Sequence, residues 1–135
     1  MKAIVDTNII FAALLRENSH HLEHLLFSGT EFYSMRFIVV ELFKHKERIV
    51  KYSQIPEAEI LDLLLRILSN IRFVDEQLIS INSYSLAHQY CHETDIKDLP
   101  FLALSIELDA PLWTMDKKLI EGAMSKGFSN FYQVV

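Results

Sequence analysis

Residues 2–8 of the chain read KAIVDTN, a short apolar run followed by an acid and two polar residues. The run is short and rich in β-branched residues, which indicates a buried strand over Lys2–Val5. Asp6 stands directly after this predicted strand. Because ligands bind outside the carboxyl ends of strands in open parallel sheets, an acid in this position is a candidate site residue.

The remainder of the chain alternates short strands with amphipathic helices. Further strands are predicted over 31–34, 71–74, 111–114 and 131–134, and helices over 9–16, 19–27, 36–52, 57–69, 78–92, 99–108 and 117–126. This alternation predicts an α/β fold with a mostly parallel sheet of about five strands. Because no linker, repeat or low-complexity tract interrupts it, we expect one domain over residues 1–135.

Composition excludes several classes of protein. Among 135 residues, 18 acids and 13 bases give a formal charge of −5, which argues against a basic module that binds nucleic acid through phosphate contacts alone. The single cysteine, Cys91, rules out an internal disulfide and a four-cysteine zinc site. The apolar runs are far shorter than the roughly 20 residues that span a bilayer, and no signal peptide is visible. We therefore expect a cytoplasmic protein with no membrane partner.

Acids occur where the predicted topology would bring them to one edge of the sheet. Asp6 and Asp116 each follow a predicted strand, Glu41 lies in a helix after the second strand, and Asp98 opens an apolar helix, with Asp95 one turn earlier. Converging carboxylates raise each other's pKa unless a divalent cation neutralises them, and their hard oxygens suit Mg²⁺ or Mn²⁺. Such a metal can promote displacement at phosphorus.

Each acid also has a purely structural interpretation. Asp6, Asp98 and Asp116 all stand where a helix N-cap is expected, and Glu41 alone could be part of a solvated helix face. The conjunction of all four at corresponding strand ends and helix starts is less expected by chance than any one of them. The set therefore favours a site.

The same residues give the chain a resemblance to the PIN-domain nucleases. The motifs that carry it are Val5-Asp6-Thr7-Asn8, Val40-Glu41-Leu42, the segment 95–104 (DIKDLPFLAL) and the segment 113–118 (WTMDKK). They occur in the family's order and cover almost the whole chain. The resemblance implies a three-layer α/β/α sandwich and metal-dependent cleavage of RNA. Many small members are VapC-type toxins, which makes an antitoxin protein a candidate partner.

The resemblance also implies roles for particular residues. Asp6, Glu41, Asp98 and Asp116 would be the catalytic metal ligands for Mg²⁺ or Mn²⁺. Asp95 is a further candidate ligand, and Asn8 and Thr114 match positions that give the metal or its waters polar support.

Basic residues are concentrated near the candidate acids. Five of the 13 bases lie within 36–52, where Glu41, Lys44, His45 and Arg48 would share one face of a continuous helix. Lys97 adjoins Asp98, and Lys117 follows Asp116. Lys44, Arg48, Lys97 and Lys117 are therefore the candidate substrate-binding residues, although a solvated, salt-bridged surface explains each base equally simply.

Two other functions fit parts of the sequence. A PIN-like module could keep its acids yet bind RNA or protein without cutting. A receiver-like phosphoacceptor domain shares the α/β pattern and would use Asp75, Thr114 and Lys117, but it lacks an adjacent acid pair after the first strand. Apolar faces over 9–27 and 57–69 could bind a partner or a second copy in a homodimer, and core packing explains them as well.

Overall fold

Four parallel strands form one sheet in the computed structural model, which describes residues 1–16, 19–91 and 96–134. The strands are β1 (Lys2–Val5), β2 (Glu31–Met35), β3 (Ile71–Val74) and β4 (Leu112–Trp113). Their order is β3-β2-β1-β4, so β1 lies between β2 and β4. Ala3 pairs with Phe32 on one side, and Val5 pairs with Trp113 on the other.

Helices cover both faces of this sheet and make a three-layer α/β/α sandwich, as predicted. The described residues form α1 (Thr7–Leu14), α2 (His20–Phe27), α3 (Phe37–Lys44), α4 (Lys46–Tyr52), α5 (Glu57–Ser69), α6 (Ile81–Cys91), α7 (Leu99–Leu108) and α8 (Lys117–Ser125). Helix α1 contacts α2, α3 and α5, whereas α6 packs on α7 and α8.

The central strand is buried on both faces, which explains its continuous apolar sequence. Ala3, Ile4 and Val5 have no exposed surface, and they pack in one core with residues of α7 such as Leu102 and Leu104. A strand covered by helices on both sides needs apolar residues at consecutive positions, since neither face meets water.

The chain order places a topological switch point between β1 and β4. The chain runs from β1 outward to β2 and β3, and then returns through α6 and α7 to place β4 on the opposite side of β1. Parallel crossovers keep one hand, so a reversal of direction sends the later helices to the other face. The carboxyl ends of β1 and β4 therefore border the crevice where open α/β sheets bind ligands.

The predicted continuous helix over 36–52 is wrong, because the structure has two helices there. Helix α3 ends at Lys44 and α4 begins at Lys46, with His45 outside α-helical geometry at φ −105° and ψ 14°. The His45 ring packs edge-on against Phe11 of α1, with ring centroids 5.9 Å apart. The apolar periodicity continues through this break, so the sequence pattern did not locate it. Glu41, Lys44, His45 and Arg48 consequently do not share a face of one helix.

The bounds of the other helices and strands differ less from the predicted ones. The predicted strand over 131–134 is reduced to a single parallel bridge between Phe131 and Leu112, because β4 is only two residues long. The predicted helix over 78–92 begins later, at Ile81, after a short 3₁₀ turn over Glu76–Leu78, and its predicted last residue lies outside the described residues. The sheet therefore has four strands where about five were expected.

Helix length and polarity bear on the membrane prediction. None of the helices in the described ranges is long and apolar enough to cross a membrane.

We predict that Leu102→Ala lowers the free energy of unfolding by about 2–5 kcal/mol, because it leaves a cavity beneath β1. Leu102 has 0% of its surface exposed, whereas Leu65 on α5 is 57% exposed. Leu65→Ala removes the same atoms and is the matched control, with an expected change within about 0.5 kcal/mol. Urea unfolding followed by circular dichroism measures both. Equal losses in the two variants would contradict the assignment of Leu102 to the core.

Candidate active site

The structure brings Asp6 and Asp116 together at the switch point. Asp6 follows β1, and its backbone N–H donates to the carbonyl of Trp113 at the end of β4, at 3.3 Å. Asp116 stands three residues after Trp113 and lies close enough for its charge to raise the pKa of Asp6. Strand pairing alone thus places two carboxylates at one edge of the sheet.

Both carboxylates also cap helices, so their structural and functional interpretations are compatible. Asp6 accepts a hydrogen bond from the N–H of Ile9 in α1 at 3.3 Å. Asp116 accepts one from the N–H of Leu119 in α8 at 3.1 Å. Helix N-termini favour negative charge, and each cap fixes one oxygen of its carboxylate.

Thr114 links the two acids through its hydroxyl. The N–H of Asp116 donates to Thr114 Oγ1 at 3.1 Å, and hydrogen bonding by the Thr114 side chain lowers the pKa of the Asp6 carboxyl. An ionised Asp6 is an acceptor only, so the threonine hydroxyl is the donor in this bond. Thr114 therefore interacts with both acids, and its supporting role at a metal stays a prediction.

Burial raises the pKa of the Asp6 carboxyl from 3.8 to about 6, and the charge of Asp116 contributes to the rise. The hydrogen bonds from Thr114, Ile9 and Asn8 oppose this effect but do not cancel it. Only 3% of the residue's surface is exposed. A buried carboxylate beside a second one is a group that a cation would stabilise.

Thr7 adds an unsatisfied polar atom next to Asp6. Its Oγ1 is buried and has no hydrogen-bond partner among residues 1–16, 19–91 and 96–134. Buried hydroxyls without a partner cost free energy, and in native proteins they point to an unseen water or ion. This feature was not predicted, because nothing in the sequence indicates that the hydroxyl faces inward.

The donor set at this edge fits Mg²⁺ or Mn²⁺. Mg²⁺ is usually bound by one or two carboxylates and keeps several waters, and Asp6 and Asp116 provide such a pair. In the part of the chain that the structure describes, no three His, Cys, Asp or Glu side chains form a group that could hold a metal ion. The convergence of all four predicted acids on one ion therefore stays a prediction.

Glu41 lies on α3 between contacts to two other helices. Phe37, one turn earlier, packs against Phe101 of α7 with ring centroids 5.5 Å apart and ring planes tilted by 59°, and His45, just after α3, packs against Phe11 of α1. Residues four apart occupy one side of a helix. Glu41 is half-buried and lies one turn after Phe37, on the side of α3 that contacts α7.

Asp98 stands at the start of α7 and is half-buried. Its side chain makes no capping hydrogen bond to α7, so the structure does not support the purely capping interpretation for this residue. The other candidate in this motif, Asp95, lies outside the described residues.

The predicted substrate-binding bases lie at the surface. Lys44, Arg48, Lys97 and Lys117 are all exposed, and Arg48 lines a cavity together with Asn8 and His45. Asn8 also lines the neighbouring cavity that contains Asp116. The structure thus places Asn8 between the acid pair and Arg48.

The receiver-like alternative conflicts with the strand order. Asp75 follows β3, at the opposite end of the sheet from Thr114, and three strand spacings separate them, about 14 Å. The Asp75 carboxylate forms an ion pair with Arg36 at 3.0 Å and caps the following 3₁₀ turn. Asp75, Thr114 and Lys117 therefore do not share a site.

Comparison with known proteins identifies the class. A family model described as PIN domain matches residues 4–133, so the chain belongs to the PIN-domain family. Among solved structures, it is similar to a chain in the crystal structure of VapBC2 from Rickettsia felis bound to a DNA fragment from their promoter. The identity is 20%, the TM-score is 0.58, and the match covers 87% of this chain and 90% of that one. No curated protein sequence matches significantly.

We predict that Asp6→Asn stabilises the metal-free protein at neutral pH. The carboxyl ionises near 3.8 when unfolded and at about 6 when folded, so ionisation opposes folding increasingly from pH 4 to 6 and by a constant amount above. A pKa difference of about 2 corresponds to about 3 kcal/mol in the free energy of unfolding. Asparagine keeps the acceptor for the N–H of Ile9.

Urea unfolding in EDTA at pH values from 4 to 8 measures this effect. The exposed Asp62 gives the matched control, Asp62→Asn, for which we expect no pH-dependent gain. A stabilisation by Asp6→Asn that is the same at pH 4 and pH 7.5 would show that Asp6 carries no burial penalty.

Proposed function

We propose that this chain is a divalent-metal-dependent endoribonuclease whose single PIN domain spans residues 1–135. The observation that carries the proposal is the buried Asp6 carboxylate beside Asp116 at the switch point, in a chain of the PIN-domain family. Asp6 and Asp116 are the primary ligands of Mg²⁺ or Mn²⁺ in this proposal. Glu41 on α3 and Asp98 at the start of α7 are the other two metal ligands in this proposal, and Asp95 is a further candidate ligand.

The residues around the acid pair have separate roles in the proposed cleavage of RNA. A bound divalent cation would supply positive charge that offsets the carboxylates and stabilises charge developing on the phosphodiester oxygens. Thr114 orients Asp6 through its hydrogen bond, and Asn8 supplies a polar side chain between the acids and Arg48. Lys117 and Arg48 hold phosphates of the RNA strand on either side of the acid pair.

We predict that Asp6→Asn and Asp116→Asn each lower the rate of RNA cleavage at least about a hundred-fold, because each removes a metal ligand. Gel assays of a labelled RNA with Mg²⁺, Mn²⁺ or EDTA measure the rate. Asp62→Asn, an exposed substitution of the same type, should cut at the parental rate. Undiminished cleavage by Asp6→Asn would remove the proposed site.

Thr114 provides a test of positioning. Thr114→Val removes the hydroxyl that holds Asp6, and we expect metal affinity and cleavage rate to fall about 10- to 100-fold. Thr114→Ser keeps the hydroxyl and should behave like the parent. Calorimetric titration with Mn²⁺ reads the metal affinity directly. Equal binding by the valine and serine variants would exclude a positioning role.

We further propose that the protein is the toxin of a type II toxin–antitoxin pair and acts in the cytoplasm. The fold it shares with a chain of the VapBC2 complex supports this proposal. A cleft of about 470 Å³ also lies between α3, α4 and α5, lined largely by apolar side chains that include Phe43 and Leu61. An amphipathic segment of an antitoxin would fit such a cleft, and a homodimer stays an alternative use of the same apolar surface.

Expression in a bacterial host tests the toxin proposal. Induction should arrest growth, and co-expression of the adjacent small reading frame should restore it through a complex that co-purifies. Growth arrest by Asp116→Asn as strong as that by the parent would contradict toxicity through RNA cleavage.

A non-catalytic RNA- or protein-binding module is the second candidate. The observation in its favour is that no three metal-ligating side chains form a group within the described residues. RNA binding without cleavage across Mg²⁺ and Mn²⁺ would establish it in place of the nuclease.

A further inference from the structure

A second cavity adjoins the acid pair and was not anticipated from the sequence. Its volume is about 430 Å³, within the range of small-ligand sites. It lies between α1 and the α3–α4 break, and its lining includes Asn8, Phe11, His45, Arg48 and Tyr52. The break at His45 forms part of its wall.

Three rings line this cavity, and that of Tyr52 belongs to a largely exposed residue. Tyr52 is the last residue of α4 and is 63% exposed. Phe11 and His45 meet edge to face, with ring planes 72° apart, and both line the cavity. Exposed aromatic rings beside a groove are the surfaces on which unpaired nucleobases stack.

Cations lie beside the same rings. Arg48 lines the cavity and is exposed. The Lys51 ammonium lies 5.4 Å from the centroid of the Tyr52 ring. Although the whole chain carries a charge of −5, the short helix α4 contains Lys46, Arg48 and Lys51 against a single acid, Glu47. Arg48 is the charged side chain of the cavity lining, and it favours an anionic ligand there.

The cavity shares part of its lining with a smaller cavity beside Asp116. Asn8, Phe11 and Leu15 also line a neighbouring cavity of about 330 Å³, whose lining includes Asp116. A ligand that extends from the acid pair along α1 would therefore enter the ring-lined cavity.

We propose that this cavity binds one unpaired nucleotide of the RNA strand, with its base against Tyr52 and its phosphate against Arg48. The inference rests on the proposed function, since it places that nucleotide next to the phosphodiester held at Asp6 and Asp116. It requires an unpaired base at this position of the strand, because a paired base has no free face to stack on Tyr52.

An apolar peptide is the competing occupant, and the lining argues against it. The neighbouring cleft between α3, α4 and α5 is lined mostly by aliphatic residues such as Leu42, Ile60 and Leu64. The cavity at Tyr52 also includes the aliphatic Leu15 and Ile49, but it adds aromatic rings, Arg48 and Asn8. That combination suits a base and its phosphate better than an aliphatic side chain.

Stacking is tested with a single-stranded RNA octamer that carries 2-aminopurine, in EDTA so that no cleavage occurs. We expect fluorescence quenching on binding to the parent and to Tyr52→Phe. Tyr52→Leu keeps an apolar side chain but loses the ring, so we expect at least about five-fold weaker binding and loss of the quenching. Phe27→Ala, which removes a 72% exposed ring from α2, is the control and should bind like the parent.

The phosphate contact is tested through the salt dependence of binding. Arg48→Gln should reduce the slope of log K against log salt by about 0.7, the value for one contact to a single strand. Arg66→Gln on α5 makes the same change of charge at another exposed arginine and should leave the slope unaltered.

These outcomes separate the cavity from the nuclease. Ring-dependent binding without metal-dependent cleavage would support the nucleotide cavity and contradict the proposed function. Cleavage by a protein whose RNA affinity and quenching are unaffected by Tyr52→Leu and Arg48→Gln would overturn the cavity and keep the nuclease. Equal affinity for the octamer and for its duplex would overturn the single-strand preference. If the parent does not bind the octamer and an apolar peptide protects Tyr52 instead, the cavity is a binding site for a protein segment.

Discussion

The arrangement of the candidate site depends on the pairing of β1 with β4. The hydrogen bond from the N–H of Asp6 to the carbonyl of Trp113 fixes the end of one strand against the end of the other. Because these strands are far apart in sequence and adjacent in space, their pairing alone brings Asp6 near Thr114 and Asp116. Buried neighbours then hold the edge in place, including Ser34, whose hydroxyl donates to the carbonyl of Val5 at 2.7 Å.

Burying the Asp6 carboxylate at this edge of the sheet costs free energy, and its hydrogen bonds offset only part of that cost. Asp6 receives hydrogen bonds from Thr114 and from the start of α1, yet desolvation still raises its pKa to about 6. Thr7 adds a buried hydroxyl with no partner among the described residues. Local rules of polar satisfaction are commonly broken at functional sites, where a ligand completes what the protein leaves unsatisfied. The ring-lined cavity at Tyr52 extends this site along α1, because Asn8 and Phe11 belong to both cavities.

The accuracy of the sequence predictions followed the strength of local signals. Strand β3 over Ile71–Val74, helix α5 over Glu57–Ser69 and helix α7 over Leu99–Leu108 all have their predicted bounds. In α5 an apolar stripe repeats at helical spacing, and in α7 a proline occupies the first turn. The helix over 36–52 was mispredicted because its break carries no glycine or proline and coincides with a ring contact to α1. The predicted last strand was reduced to one bridge, between Phe131 and Leu112 of the two-residue strand β4.

The sequence by itself determined the α/β class, the parallel sheet and the acids at the ends of β1 and β4. These follow from apolar periods and from residues directly adjacent to strands, which are local properties. Only the tertiary structure decided that Thr114 bridges Asp6 and Asp116, that Asp75 lies away from them, and that His45 separates two helices beside Phe11. Each of these facts depends on strand order or on packing between helices distant in sequence. Contacts of that kind are set by the whole core, and no local pattern encodes them.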